Sequence, residues 1–472
     1  MENGQEVGVE ENNNNNRAKE DARHIFKYKE KVFSPRESML THLFQNTEMS
    51  IVYNFLAGAF ILFFLRALVD DVFTHGMPLH HTWLIWWNFE KFPLTMIVWG
   101  LMFASTLIPY YALKAWAQMP EKEVTFQSSG VWIAALTGYI FLLFYLPLQF
   151  LFSAELNCAC SFIITCETTR LSMKVYAFIR ENLSKAISRK TAYTSFKNEG
   201  EPRAEEDDWP TLEQYFYYQF CPSMIYRDQY PRSEKTDWKK AAFHGLHCLI
   251  LIEFVNLVFT QWVEPALSTV SYPNTTFTES LLRLFSSILP GIVCLVTLFY
   301  GLLHSWLNMF SEILTYADRH FYDNWWNSNN MAEYYRNWNL VVHDWLYNYV
   351  YRDVALWIGG GRGKIIAQTC VFFLSSVFHE YWFGVAFRCF YPVMFMLYFV
   401  FGGVFFFVSR TITNRHVWNT ALWFNLLIGT GMFVAFYGQE WYARRGHCAP
   451  RNSAFIDALF PRHWTCVAPS LE

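Results

Sequence analysis

The sequence carries little charge for its length and lacks the short signatures of several enzyme classes. Asp, Glu, Lys and Arg make up 16% of its 472 residues, whereas soluble chains contain about a quarter. No two cysteines form a CxxC pair, so no zinc ribbon or thioredoxin-type site is indicated. A G-x-S-x-G elbow, which would carry a serine acyl-enzyme, is absent. The net charge of -3 provides no basic excess for phosphate neutralisation, which excludes nucleic acid as a partner.

Metal and nucleotide signatures are also missing. His75, His80 and His81 form one isolated group, whereas a di-iron membrane desaturase needs repeated histidine boxes for its ligands. We therefore predict no metal and no cofactor. The stretch GGGRGK at residues 359–364 lacks the earlier glycine and the following hydroxyl residue of a phosphate-binding loop. We interpret it as a turn that precedes a helix.

Long apolar runs are what the sequence has in abundance. Hydrophobic residues make up 53% of the chain and aromatic residues 20%, and a soluble fold cannot bury so much apolar surface, so we expect lipid to be the solvent. A spanning helix needs about 20 mostly apolar residues. Nine stretches meet or nearly meet this requirement: 51–69, 94–117, 130–154, 156–179, 241–263, 284–311, 365–387, 389–409 and 417–437. The sequence predicts an all-α polytopic membrane protein with about nine transmembrane helices.

The weakest of these stretches is residues 156–179. It carries Glu167, Arg170 and Lys174, and ionisable groups are expensive inside a bilayer. The alternative to a true span is a helix that lies in the membrane interface.

The tails and loops predict the orientation of the chain. Residues 1–40 are polar and contain no apolar stretch of a cleavable signal, so we expect a disordered cytosolic tail before a domain at 41–472. Nine spans then place the C-terminal tail, about 440–472, in the lumen. The loops at about 181–240 and about 315–363 fall on the cytosolic side, and the basic residues of the first agree with the positive-inside tendency.

Two lumenal features follow from this orientation. Asn274, in the sequon NTT, would be a possible glycosylation site, although a chance sequon is the alternative. Cys448 and Cys466 would share an oxidising compartment and could form a disulfide, with two free thiols as the alternative.

The strongest candidate for chemistry is His379. It lies with Glu380 inside the apolar stretch IIAQTCVFFLSSVFHEYWFGVAF, and intramembrane ionisable residues normally face a cavity or a partner. Ser375 and Ser376 precede His379 by four and three residues, so they share its helical face. This pattern indicates a narrow polar channel. The alternative is a structural histidine bonded to a backbone carbonyl of a neighbouring helix.

A second candidate region is the loop between the sixth and seventh stretches. Apolar residues recur every three or four positions from 331 to 351, which predicts one amphipathic helix in the membrane interface. Tyr335, Asn339 and His343 would share one of its faces. Asn339 could then donate a hydrogen bond into a cavity, and a plain interface asparagine is the alternative.

Four motifs resemble those of membrane-bound O-acyltransferases: FYDNWWN at 321–327, YYRNWNLVVHDW at 334–345, VFHEYW at 377–382 and YGQEWYARRGHC at 437–448. The second and fourth are most similar to the sterol O-acyltransferase branch, and the resemblance runs from about His42 to the C-terminus. It implies helices around an intramembrane reaction chamber, with His379 as catalytic base, Asn339 placing the acyl donor and a Cys448–Cys466 disulfide.

The same resemblance implies the substrates. Acyl-CoA, as co-substrate, would donate its acyl group to a sterol within the lipid of the endoplasmic reticulum membrane, and the protein would be a homodimer or homotetramer. Substrate-contacting residues are expected in the first two motifs: Phe321, Tyr322, Asn324, Trp325, Trp326, Asn327, Tyr335, Arg336, Trp338 and His343. The alternatives are acyl transfer to diacylglycerol or another lipid alcohol, and a non-catalytic sterol sensor or transporter.

One residue departs from the family pattern. The family has Asp directly before the two tryptophans, whereas this chain has Asn324 there and carries Asp323 at the variable position. A missing carboxylate would alter a charge or hydrogen bond near the expected acyl-CoA entrance.

Overall fold

The computed structural model describes residues 31–119, 126–199, 209–268 and 276–466. These ranges are helical, and their only β pairings are two isolated bridges, Arg36 with Asp318 and Arg232 with Tyr316. The predicted all-α class is therefore confirmed. Asn274 and residues 1–30 of the expected tail lie outside the described residues.

Twenty α-helices, numbered in chain order, make up most of the described ranges. The first ten are α1 Met39–Asn46, α2 Met49–His75, α3 Trp83–Phe89, α4 Phe92–Ser105, α5 Leu107–Gln118, α6 Phe126–Ser153, α7 Cys158–Glu199, α8 Leu212–Phe220, α9 Trp238–Val258 and α10 Glu264–Ser268. The others are α11 Phe277–Leu298, α12 Leu307–Ile313, α13 Met331–Trp338, α14 Leu340–Leu346, α15 Arg352–Ile358, α16 Gly360–Ala386, α17 Val393–Phe395, α18 Gly402–Val408, α19 Arg415–Tyr442 and α20 Ala454–Leu459.

Four pairs of these helices are continuous. Short π-helical segments join them: Phe259–Val263 between α9 and α10, Phe299–Trp306 between α11 and α12, Tyr347–Tyr351 between α14 and α15, and Met396–Phe401 between α17 and α18. Each pair therefore runs as one rod with a local bulge, a feature that is frequent at functional sites.

Seven helical stretches of the described residues are long and apolar enough to cross a membrane. They are Met49–His75, His80–Gln118, Ser129–Ser153, Trp238–Ser268, Phe277–Ile313, Val393–Thr411 and Arg415–Arg445. The chain is thus a multi-span membrane protein. The other two predicted stretches, 156–179 and 365–387, lie in α7 and α16 and carry polar side chains that bond to neighbouring helices. The count of nine spans stays a prediction.

Helix α7 is longer than the sequence predicted. It continues through Glu199, so the loop expected from residue 181 begins later. Its charged residues explain the weak span signal, because Arg170 Nη1 donates to the carbonyl of Gln219 at 2.7 Å and Lys174 Nζ to that of Cys221 at 2.8 Å. Lys174 also bonds the carbonyl of Tyr218. Both side chains therefore cap the C-terminal end of α8 by donating to its last carbonyl groups.

Helices α11 and α19 approach each other closely at two glycines. A Cβ added at Gly291 would lie 2.6 Å from the carbonyl oxygen of Thr430, and one at Gly431 would lie 2.7 Å from Cγ1 of Ile288. Small residues allow such close backbone packing between membrane helices. Any larger side chain at Gly291 would push the two helices apart.

The folded region begins before residue 41, where the sequence analysis placed the domain boundary. Arg36 Nε donates to Asp318 Oδ1 at 2.6 Å, and the backbone N–H of Arg36 bonds the carbonyl of Ala317. Ser38 is 1% exposed. Residues 36–38 therefore pack against the segment that leads into the FYDNWWN motif, and the domain boundary at residue 40 stays a prediction.

The C-terminal segment is closed by a disulfide. Cys448 and Cys466 are joined, with their Cα atoms 5.1 Å apart, as the sequence analysis expected. Between them, Arg462 Nη2 donates to Asp457 Oδ2 at 2.5 Å. This bond lowers the pKa of Asp457 below its usual value against the opposing effect of burial.

Candidate active site

His379 lies in α16 with one ring nitrogen occupied. Nδ1 is 2.7 Å from the carbonyl oxygen of Ser375, one turn earlier in the same helix. A carbonyl only accepts hydrogen bonds, so Nδ1 carries the proton and Nε2 keeps its lone pair. Nε2 has no hydrogen-bond partner among the described residues, and the side chain is half-buried. The alternative, a structural histidine bonded to a backbone carbonyl of a neighbouring helix, is not observed, because Ser375 belongs to the same helix as His379.

Two aromatic rings hold the imidazole in place. Tyr398 stacks on it with a centroid separation of 4.9 Å and an interplanar angle of 21°, and the Trp382 ring lies 4.8 Å away. Trp382 Nε1 donates to Thr169 Oγ1 of α7 at 3.0 Å. Tyr398 was missed by the sequence analysis, although a lone tyrosine in the apolar run VMFMLYFVF was a signal.

Glu380, the neighbour of His379, has a structural role. It is 7% exposed, and its carboxylate accepts hydrogen bonds from the Tyr437 hydroxyl at 3.0 and 3.1 Å and from the Phe395 backbone N–H at 3.1 Å. Glu380 therefore fastens α16 to α17 and α19. Its bonds point away from the face that carries Nε2, because consecutive residues of a helix do not share a face.

The expected single helix at residues 331–351 is wrong, because the chain breaks at Asn339. Asn339 has φ -148° and ψ 89°, so α13 ends before it and α14 begins after it. The FYDNWWN loop satisfies the freed backbone groups, since Asp323 N–H bonds the carbonyl of Asn337 and Leu340 N–H bonds that of Phe321, both at 2.9 Å. Tyr335, Asn339 and His343 therefore do not form one helical face.

The break gives Asn339 a defined orientation. Its Oδ1 accepts a hydrogen bond from the N–H of Val342 at 3.1 Å and caps α14. The side-chain amide is thereby fixed, and its Nδ2 makes no bond to the described residues. The half-buried Asn339 therefore presents a free amide donor.

Helix α13 contacts the same helix that carries His379. The Tyr335 and Phe372 rings are 4.9 Å apart at 78°. Tyr335 also contacts α18, because a Cβ added at Gly402 would lie 2.5 Å from the Tyr335 hydroxyl. Phe372 precedes His379 by seven residues, which is about 10 Å along a helix. The motif region and the histidine thus lie on one side of α16, two turns apart.

Three residues of the FYDNWWN motif are in the protein core. Phe321, Tyr322 and Trp325 are 1%, 0% and 3% exposed. The Tyr322 hydroxyl is 2.7 Å from His304 Nδ1, and the Trp325 ring packs 4.7 Å from that of Trp338. These aromatic contacts shape the loop around the helix break. Their role as substrate contacts stays a prediction.

The polar positions of the motif differ in their surroundings. Asn324 Oδ1 is buried without a hydrogen-bond partner among the described residues. Asp323 faces its own loop, where Oδ1 accepts the N–H of Asn324 at 2.7 Å and a bond from His320 lowers its pKa. Asp323 therefore does not take the place of the carboxylate that the family carries at position 324. Trp326 and Asn327 are half-buried, and Trp326 is held by a bond from Asn419 to its carbonyl.

Arg336 and His343 lie nearer the surface. Arg336 is exposed, and its Nε bonds Asn337 Oδ1 at 3.3 Å. The His343 ring is half-buried and stacks on that of Tyr347 at 6.1 Å. Both side chains remain available to a polar ligand at this end of the molecule.

Comparisons with known proteins cover nearly the whole chain. The model of the membrane-bound O-acyltransferase family (MBOAT) matches residues 32–439. Sterol O-acyltransferase 1 of Mus musculus is 37% identical over 443 residues, which are 92% of this chain and 79% of that protein. Sterol O-acyltransferase 1 of Cricetulus griseus is 37% identical over 466 residues, 97% of this chain and 82% of that protein. Sterol O-acyltransferase 2 of Homo sapiens is 34% identical over 439 residues, 93% and 81% respectively.

Proposed function

The chain belongs to the membrane-bound O-acyltransferase family and is an O-acyltransferase, and we propose that it transfers a fatty acyl group from acyl-CoA to the 3-hydroxyl of a sterol. The products are a steryl ester and free CoA. The observation that carries the mechanism is the bond from His379 Nδ1 to the Ser375 carbonyl, because it leaves Nε2 as the basic nitrogen.

His379 is the general base in this proposal. A neutral imidazole accepts the proton of the sterol hydroxyl at Nε2 while the oxygen attacks the thioester carbonyl. The new C–O bond forms, the C–S bond breaks and the leaving CoA thiolate receives the proton from the imidazolium. A thiolate is a good leaving group, so no covalent enzyme intermediate is needed.

Asn339 supplies the second group. Negative charge develops on the thioester oxygen during attack, and a donor that is already oriented stabilises it without reorganisation. The capped amide of Asn339 has that property, since Oδ1 is engaged by Val342 and Nδ2 is free. We assign this Nδ2 to the acyl donor.

The acceptor is proposed from the relatives. Proteins named sterol O-acyltransferase 1 and 2 match 92% or more of the chain at 34–37% identity, and a sterol is an alcohol that dissolves in the bilayer around α16. The location in the endoplasmic reticulum membrane, the cytosolic delivery of acyl-CoA and a homodimeric or homotetrameric assembly belong to the same proposal. The disulfide supports a lumenal C-terminal tail, because disulfides persist in oxidising compartments.

The test is an acceptor panel. Purified protein in lipid nanodiscs receives radiolabelled oleoyl-CoA with cholesterol, a plant sterol, diacylglycerol or a long-chain alcohol, and products are separated by chromatography. We expect steryl ester to form fastest. Faster acylation of diacylglycerol or the long-chain alcohol would overturn the sterol assignment while leaving the O-acyltransferase class intact. Ligand binding without turnover for any acceptor would favour a sensor.

A further inference from the structure

A cluster of metal-ligating side chains lies at the end of α2, outside the site described above. Asp71 and His75 occupy the last turns of the helix at positions i and i+4, so they share a face. His80 follows in a short 3-10 turn, His80–Thr82. One ligand atom from each of Asp71, His75 and His80 lies within 4.8 Å of the others. We propose that these three residues form a divalent metal site of the zinc class.

The backbone between the ligands is shaped to bring them together. Gly76 has φ 74° and Leu79 has φ 65°, both in the left-handed region that a leucine rarely adopts. This turn reverses the chain directly after α2 and returns His80 onto His75, whose ring it stacks on at 3.8 Å. Strained backbone of this kind persists where its surroundings determine it, and it clusters at functional sites.

A chain of polar contacts behind Asp71 provides the second observation. His81 Nδ1 is 2.5 Å from Asp71 Oδ2, and its Nε2 is 2.8 Å from Glu253 Oε1. Asp71 is 4% and His81 3% exposed, so these bonds hold both buried side chains in a fixed orientation.

A divalent cation would bind Asp71 at the carboxylate oxygen that the bonds to His81 leave free. Oδ2 of Asp71 accepts the bonds from His81, which leaves Oδ1 for the metal. Carboxylate and histidine partners that orient a ligand in this way are typical of protein metal sites. Asn256 also holds the backbone of His81 in place, because its Nδ2 donates to the backbone carbonyl of His81 at 3.1 Å.

The donor set indicates which metal fits. Two imidazoles and a carboxylate, with water in the fourth position, suit zinc and the later first-row metals, whereas calcium and magnesium prefer oxygen ligands alone. Tetrahedral zinc with bonds of about 2.1 Å needs ligand atoms about 3.4 Å apart. His75 and His80 are exposed, so their side chains can rotate to close the remaining distance. The expectation of no metal, drawn from the absence of histidine boxes, did not anticipate this turn.

The site joins elements that already bond to α9. Tyr53 of α2 contacts His247 at 2.8 Å, and His81 contacts Glu253 at the same distance. A bound metal would fix the turn against α2 and would thereby stabilise the packing of α2 and the turn on α9. Helix α3 follows the site in the chain. The guanidinium of Arg445, just after α19, lies 4.4 Å from the ring centroid of Trp87 in α3. The end of α3 and the start of the disulfide-bonded tail are therefore neighbours.

The experiment uses the full chain, purified in detergent through an affinity tag without histidine and stripped with a chelator. Zinc sulfate alone is titrated in, and bound zinc per chain is measured by mass spectrometry after gel filtration, with the affinity from competition against a zinc indicator. We expect one zinc per chain. His75→Asn and His80→Asn should each weaken binding more than about 100-fold, and Glu253→Gln by about 10- to 100-fold.

His416→Asn is the matched control, because His416 is an exposed histidine at the start of α19, away from the cluster. It should bind zinc like the unchanged protein. The proposal is overturned if the unchanged protein retains no zinc, or if His75→Asn and His80→Asn bind it as tightly as His416→Asn does. Acyl transfer is not part of this readout, so the outcome is independent of the proposed enzymatic function.

Discussion

The side-chain oxygen of Asn339 accepts the N–H of Val342 at 3.1 Å and caps α14, which leaves the amide Nδ2 as its only free donor. The two ends of one side chain thus have separable roles. Aspartate caps a helix as well as asparagine but offers no donor when it is ionised.

The first prediction concerns this pair of roles. Asn339→Asp should keep the thermal stability and lower the rate of steryl ester formation by about 10²- to 10³-fold, the usual effect of losing one oxyanion donor. Asn339→Ala should lower the stability as well, by about 1 kcal/mol for the lost cap. Full activity in Asn339→Asp would refute the donor role.

His379→Ala should reduce esterification by at least about 10²- to 10⁴-fold, because the proton of the sterol hydroxyl would have no base. Sterol binding should persist. His416→Ala is the control, since His416 is an exposed histidine at the start of α19 and its loss should leave the rate unchanged. A His379→Ala protein that esterifies sterol at the normal rate would show that another group is the base.

Asn324→Ala should not lower the thermal stability, because Asn324 Oδ1 is a buried acceptor without a partner and its removal leaves nothing unpaired. If the acyl donor supplies the missing hydrogen bond, the KM for acyl-CoA should rise several-fold in this variant. Asn324→Asp restores the family residue and tests the same position. An unchanged KM in both variants would mean that position 324 does not contact the acyl donor.

Lys174→Met should lower the free energy of unfolding by about 2–4 kcal/mol. Lys174 is 1% exposed and donates to two carbonyls at the end of α8, and leaving a buried acceptor without its partner costs about 1–3 kcal/mol. Lys239→Met, at an exposed lysine of α9, is the control and should have no effect. Equal thermal unfolding of the two variants would show that Lys174 does not hold α8.

The C-terminal segment should be sensitive to reduction and to acid. Removing the disulfide with Cys466→Ala should lower the free energy of unfolding by about 3 kcal/mol, as expected for a loop of this length.

Because the folded pKa of Asp457 is below its usual value, its bond to Arg462 stabilises the segment at neutral pH, and this contribution is lost as the pH falls below about 3.8. Asp457→Asn should therefore lower the melting temperature at pH 7, and the difference should shrink in acid.

The apolar helices were predictable, and so was the position of His379 inside a helix, because both follow from the free-energy cost of placing a side chain in a given environment. A run of about 20 apolar residues has one stable environment, the bilayer, and a histidine inside such a run must find a partner. The bond from His379 to the Ser375 carbonyl, within one turn of a single helix, was not predicted, and the catalytic role of His379 stays a prediction.

The helix break at Asn339 was not predictable from periodicity. It depends on two backbone hydrogen bonds, from Leu340 to the Phe321 carbonyl and from Asp323 to the Asn337 carbonyl, whose partners are distant in sequence. The extended α7 and its capping of α8 depend in the same way on Lys174 and Cys221, 47 residues apart. Tertiary contacts of this kind override local pattern, and a single sequence does not contain them.

The most direct test of the central claim is a structure of the protein with a sterol and a non-transferable acyl-CoA analogue. The account predicts the sterol 3-hydroxyl within about 3.2 Å of His379 Nε2, with the carbonyl of the analogue next to it. A complex with the hydroxyl elsewhere, or with Nε2 bonded to protein and closed to both ligands, would contradict it.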